Sequence, residues 1–319
     1  MSSSAFIVPS VATKTIATAT IRNAIRDRTV VWLALMFMAM VLLSAYLGWS
    51  ATDTINQIYT KASLALQADG LAVPPNPVNE TSPLALLRNM TTYVSLLGAL
   101  VAIVLGHQII IEDRKSGVFP LLASRPISRV TYALGKMIAL VVMLTSLLLI
   151  AAVTNAITLL LLPALPPTTE DWIAFLLFYA LSGLFLMVFG WLAMSTASLF
   201  RSETMGLLVP VTLWLTLTFV LPQITSNINP MAALNPVKAM VPPPGGWFFA
   251  LTGPALAPVS LTSTYRDIAA SLLGFAPADS AALGTAAGLS SLIIANFSLA
   301  AAACFGVLRL DPTRSQTDE

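Results

Sequence analysis

The sequence predicts an all-α protein that crosses a membrane six times. Three observations lead there. The chain has 319 residues, of which 57% are hydrophobic and only 9% charged, with a mean hydropathy of +0.84. Soluble domains carry about 25% charge, so a soluble chain this poor in charge could not cover its own surface. Second, the sequence holds a series of long apolar runs, and a helix needs about 20 apolar residues to cross the hydrocarbon core. Third, Lys and Arg are distributed unevenly between the segments that join those runs, as they are in membrane proteins with a fixed orientation.

Residues 1–29 form a cytoplasmic tail that includes an amphipathic elbow helix over 11–28. Arg22, Asn23, Arg26 and Asp27 fall on one face, and Ala17, Ile21, Ala24 and Ile25 on another. A ragged polar tail is the plainer reading of the same residues. The first apolar run is too long for the core of a signal peptide and lacks a clean small-x-small cleavage site, so it is read as a retained span.

The predicted spans are Val30–Trp49, Tyr93–Ile111, Tyr132–Leu162, Trp172–Phe200, Met205–Leu221 and Thr285–Leu308. The second must stop near Ile111. Carrying Glu112, Asp113, Arg114 and Lys115 into the membrane would cost about 2.5 to 3.5 kcal/mol for each charge. The third run is longer than a bilayer requires and should tilt or project from the membrane.

With the N-terminus inside, twelve Lys and Arg residues fall in cytoplasmic segments and four (Lys61, Arg88, Lys238 and Arg266) in outer ones. That puts both termini in the cytoplasm. Two outer segments are long. Residues 50–92 open with a surface helix whose Ile55, Tyr59, Ala62 and Leu66 share a face. Residues 222–284 are rich in Pro and Gly, and their apolar run Trp247–Ala257 is too short to cross, which suits a re-entrant or interfacial segment.

Several function classes are missing. A net charge of +2 gives no case for nucleic acid. With one histidine the chain cannot build a His-based zinc cluster. No phosphate-binding G-x-x-x-x-G-K-[ST] motif occurs, because Gly135-Lys136 is followed by Met137. If ATP drives this protein, another chain binds it. Cys304 lies in an apolar run and reads as a small buried residue.

Polar groups inside the spans are few. His107 is the only titratable side chain well inside one, which makes it a candidate for the substrate pathway by default, although it lies close enough to Ile111 to reach the interface. Asn155 in the third span is a second pathway candidate, but Asn155, Thr158, Ser182, Ser195 and Thr196 also suit contacts between helices. Pro210 should kink the fifth span, and Ala302-x-x-x-Gly306 fits close helix packing.

The most informative stretch is the loop between spans two and three, 112–131, running on to Lys136. It carries both charge signs, Gly117, two prolines and a short apolar core. Glu112, Gly117, Leu121-Leu122, Ser124-Arg125-Pro126-Ile127-Ser128-Arg129 and Leu134-Gly135-Lys136 resemble the first cytoplasmic loop of type-2 ABC transporter permeases. The likeness is greatest to the branch that includes the nitrous-oxide-reductase maturation and gliding-motility permeases. Arg26-x-Arg28 before the first span, the short loop Phe200-Arg201-Ser202 and Asn235-Pro236 after the fifth are similar to that family too. Val118 stands where the family usually has Thr, and Pro120 interrupts the usual Leu-rich run.

The resemblance implies a membrane-spanning permease of an ATP-driven exporter in the bacterial cytoplasmic (inner) membrane, with no catalytic residues and no cofactor of its own. ATP and Mg would be held by a separate ABC ATPase subunit, present in two copies. The permease would pair with a second copy or with a sister permease. Membrane lipid is a further partner, and an extracytoplasmic partner is left open, because the outer segments are longer than the family's. Spans two and five would line the pathway. The loop would dock on the ATPase through Phe119, Leu121, Leu122 and Ile127, with Glu112, Gly117 and Pro126 shaping it and Arg125 and Arg129 meeting carboxylates on the partner. The positive-inside rule alone would also account for Arg129. Two alternatives remain open: a transporter driven by an ion gradient, which the lack of Asp or Glu well inside any span counts against, and a non-transporting scaffold for an outer partner.

Overall fold

The computed structural model describes residues 9–76, 78, 82–115, 128–161, 166–225, 247–276 and 283–310. Asn235-Pro236 and the proline-rich run 242–246 lie outside these. Among the described residues the regular structure is helical throughout, and six helices are long and apolar enough to cross a membrane.

Helix α1 (Pro9–Arg26) precedes α2 (Arg28–Ala68). Asp27 separates them and caps α2, accepting from Thr29 N through its carboxylate. α1 lies along the third span, with Ala17 and Ala24 buried as the pattern predicted. Ile25 departs from that pattern and is 65% exposed. It lies just over a quarter-turn beyond Ala24, past the edge of the buried arc.

α2 also runs on beyond the predicted surface break. Its 41 residues form one helix, which at 1.5 Å per residue is about 62 Å long. That is about twice the hydrocarbon thickness, so the surface helix predicted to open 50–92 is the projecting half of the first span. The chain then folds back on it, Tyr59 donating to Pro74 O (2.8 Å) and Asn76 to Asn56 (3.0 Å).

α3 (Pro83–Lys115) holds a π turn at Val94–Gly98. α4 (Arg129–Leu161) and α5 (Thr169–Leu199) follow, the latter opened by a reciprocal Thr168/Asp171 capping box. α6 (Glu203–Val220) contains Pro210, ends in a second π turn at Thr216–Val220 and continues as Leu221–Thr225. The short α7 (Trp247–Leu256) and α8 (Leu261–Leu272) precede α9 (Leu283–Leu308).

α3 and α5 form the centre: their apolar stretches are mostly buried within the chain, whereas those of α2, α6 and α9 are mostly open on its outside. They cross where Gly106 meets Gly190, so closely that a Cβ at Gly106 would strike the Gly190 carbonyl oxygen. α9 packs on α5, with Gly306 against Ser198, as its small-residue pattern predicted.

Candidate functional site

The predicted partner-binding loop joins α3 to α4. Gly117, Phe119, Leu121, Leu122, Arg125, Pro126 and Ile127 lie outside the described residues. The structure does show how both stems of the loop are held.

α3 continues one turn past its last apolar residue, as Glu112, Asp113, Arg114 and Lys115. Asp113 falls three residues after Ile110 and seven after Gly106, on the buried face of the helix, and is only 9% exposed. Its carboxylate accepts from the Tyr132 hydroxyl (2.6 Å) and pairs with Lys136 Nζ (2.6 Å). Tyr132 and Lys136 are four residues apart and so share a face of α4. The Lys136 ammonium also lies 5.5 Å from the Tyr132 ring centroid and is almost wholly enclosed. Two charges held out of water need each other and their hydrogen bonds, and losing one strands the other. The ion pair therefore locks the stem of α3 to the stem of α4. Glu112 is half-buried within electrostatic reach of the same Lys136.

Arg114 reaches the other side of the bundle. Its Nη1 donates to Ala197 O (3.0 Å) and Phe200 O (3.1 Å), and its Nη2 to Arg201 O (3.3 Å). Carbonyls at a helix C-terminus lack helical partners and carry the negative end of the helix dipole. One guanidinium thus caps α5 and grips its turn into α6. Lys115 pairs with Glu203 at the start of α6, but both side chains are largely exposed, so the pair contributes at most about 1 kcal/mol. Arg129, the first residue of α4, is exposed and donates to Leu308 O (3.3 Å) at the end of α9.

Gly135, between Tyr132 and Lys136, explains why α1 rests here. A Cβ at that position would lie 2.7 Å from Ile16 Cγ2 and 3.2 Å from Thr13 O. Leu134-Gly135-Lys136 therefore does two structural jobs: glycine admits α1, and lysine closes the clamp.

The three pathway candidates lie apart, and His107 and Asn155 are each held by a contact between helices. His107, buried in α3, lies 3.2 Å from Glu203 O, and since a carbonyl only accepts, its Nε2 carries the proton. Asn155 is fully buried and donates to the Tyr179 hydroxyl (2.6 Å). Pro210 is buried within α6, which continues through it as a helix. Ser182 joins helices through the Tyr265 hydroxyl (3.0 Å) and Thr196 through Gly206 O (2.9 Å), whereas the hydroxyls of Thr158 and Ser195 bond carbonyls of their own helices. The roles of Asp113, Arg114, Tyr132 and Lys136 were not foreseen. The readable signal was helical spacing, since Asp113 continues the buried stripe through Gly106 and Ile110.

Against known protein families, the model described as ABC-2 family transporter protein matches residues 14–308. The chain belongs to the ABC-2 transporter family. A search of curated proteins finds no match. Membership makes it a multi-pass membrane protein and a type-2 permease, the membrane subunit of an ABC transporter, in a family that works with an ABC ATPase subunit. The match starts within α1 and ends with the last residue of α9, so all six spans and both stems of the loop lie inside it.

Proposed function

We propose that this permease takes up the motion of its ATPase through residues 112–131 and passes it into the bundle through the Asp113–Lys136 clamp, driving export across the bacterial cytoplasmic membrane. One observation carries the reading. The two stems of the loop are joined by a buried ion pair, with Tyr132 donating to the same carboxylate. A push on a loop with loose stems is lost in local bending. Here it must move α3 and α4 together, and Arg114 draws in α5 and α6.

In this reading the loop end faces the cytoplasm, α1 is the elbow helix at the membrane surface, and two permeases stand over two ATPases that hold ATP and Mg. The likeness of the loop to the nitrous-oxide-reductase maturation and gliding-motility permeases supports membership of that branch. Apolar Phe119, Leu121, Leu122 and Ile127 provide the helix-in-groove contact.

Co-purification tests it. Replacing Leu121 and Leu122 together with Asp should abolish recovery of the co-expressed cognate ATPase while membrane insertion is unchanged. Undiminished recovery overturns the docking role. Reconstitution separates the alternatives: a gradient-driven transporter would move substrate without the ATPase, and a scaffold would move none with it.

A further inference from the structure

At the end of the bundle away from the loop, the half-buried Arg266 has no ion-pair partner among the described residues. Ser95 precedes Asp113 by eighteen residues on α3, about 27 Å along the helix. The Arg266 Nη2 of α8 donates to Ser95 Oγ (3.0 Å), which in turn donates to Thr92 O. Arg266 Nε is enclosed and has no acceptor. Among the described residues no carboxylate pairs with Arg266, and the adjacent Asp267 faces outward. Burial pulls the pKa of Arg266 below the ordinary guanidinium value, while Tyr265 and Asp267 pull it up.

The seat of this arginine is built by three spans. Ser95 lies in the π turn of α3, and its carbonyl accepts from Trp214 Nε1 of α6 (3.2 Å). Thr262 of α8 meets Thr218 in the π turn of α6 (3.4 Å). Tyr265, fully buried, bonds Ser182 and stacks on Phe185 of α5 (centroids 4.4 Å, interplanar angle 19°). α8 thus rests on both π turns, features that concentrate at functional sites.

Nε–H and one Nη2–H of an arginine point the same way and form an edge that grips a carboxylate or phosphate with two parallel bonds. Ser95 gives Nη2 a neutral acceptor, and Nε–H beside it has none. Among the described residues this half-buried cation bonds directly only to a hydroxyl, and Asp267 acts on it only from a distance. We propose that Arg266, seated at the joined π turns of spans two and five, binds the anionic head group, carboxylate or phosphate, of an amphiphile that displaces Ser95 Oγ. The head group could belong to a resident anionic phospholipid or to a transported anionic compound.

Thermal unfolding of the purified full chain in neutral detergent tests this. The probes are decanoate, its neutral methyl ester, and mixed micelles of phosphatidylglycerol or phosphatidylcholine. An anionic probe should raise the melting temperature and its neutral counterpart should not. A response to decanoate alone marks a free anionic cargo, and one to phosphatidylglycerol alone marks a lipid site. Arg266→Gln should weaken anionic binding at least about 10-fold, and Arg266→Lys by less, since lysine keeps the charge without the paired edge. If the Gln variant does not fold, a photoreactive fatty acid on the wild-type chain should label residues 91–98 and 262–270. The site is refuted if neither anionic probe binds, if neutral and anionic probes bind alike, if the Gln variant binds undiminished, or if labelling falls elsewhere. The assay uses neither ATP nor the ATPase, so its failure leaves the coupling reading intact, and the reverse also holds.

Discussion

Thr196 supplies the hydrogen bond that Pro210 takes away. In an uninterrupted helix the N–H of residue 210 would donate to Gly206 O, but proline has none. The Thr196 hydroxyl of α5 lies 2.9 Å from that oxygen and is buried. It also approaches Leu192 O (3.1 Å) and Ala193 O (3.0 Å), but those carbonyls have amide donors from their own helix. Gly206 O is the acceptor in need. Pro210 therefore ties the fifth span to the fourth instead of merely weakening it.

Thr196→Val should then cost about 1 to 3 kcal/mol, because it strands a buried carbonyl. Alanine at 210 restores the amide donor, so in a Pro210→Ala background the same change should cost under about 0.5 kcal/mol. A double-mutant cycle by thermal unfolding in detergent measures the coupling. Equal costs in both backgrounds would show that the two residues act independently.

The clamp predicts a sharper asymmetry. Lys136→Met leaves the Asp113 carboxylate buried without its ion pair and should cost about 3 to 5 kcal/mol. Adding Asp113→Asn removes the stranded charge and should recover most of the loss. The double variant should still co-purify with its ATPase, yet ATP turnover by the complex should fall to that of the ATPase alone. Turnover kept at the wild-type level would show that the stems need no ionic lock.

Gly135 offers a packing test on the same turn. Gly135→Ala forces a methyl group against Ile16, an overpacking worth about 1 to 3 kcal/mol. It should loosen α1 and speed tryptic cleavage after Lys14 and Arg22. Ile16→Ala makes room and should return cleavage to the wild-type rate. Rapid cleavage in the double variant would mean that α1 is seated by other contacts.

These residues also show what the sequence disclosed. All six spans were legible, because about 20 consecutive apolar residues admit few other readings. The length of α2 was not: hydropathy falls at Ser50-Ala51-Thr52-Asp53, yet backbone hydrogen bonding continues to Ala68. α8 was hidden by the proline-rich context of its segment, although Leu261, Tyr265, Ile268 and Leu272 recur at helical spacing. The loop announced itself through charge and family resemblance. Which of its four flanking charges turned inward depended on helix phase, and Asp113, not Glu112, continues the buried stripe. The π turns had no local signature, since both sit where α3 and α6 meet α8.

Those π turns support a final prediction. Trp214 Nε1 donates to the Ser95 carbonyl across the boundary between α6 and α3, in a buried setting. Phenylalanine keeps most of the ring volume but cannot donate, so Trp214→Phe should strand that carbonyl and cost about 1 to 3 kcal/mol. The acceptor is backbone, so Ser95→Ala should leave this bond in place. Hydrogen exchange by mass spectrometry can tell a local effect from a global one. In Trp214→Phe, exchange should rise over residues 94–98 and 216–220 and remain at wild-type rates around Asp113 and Lys136. A uniform rise along α3 would instead mean that the tryptophan supports the whole span, and that the two π turns do not form a joint that opens by itself.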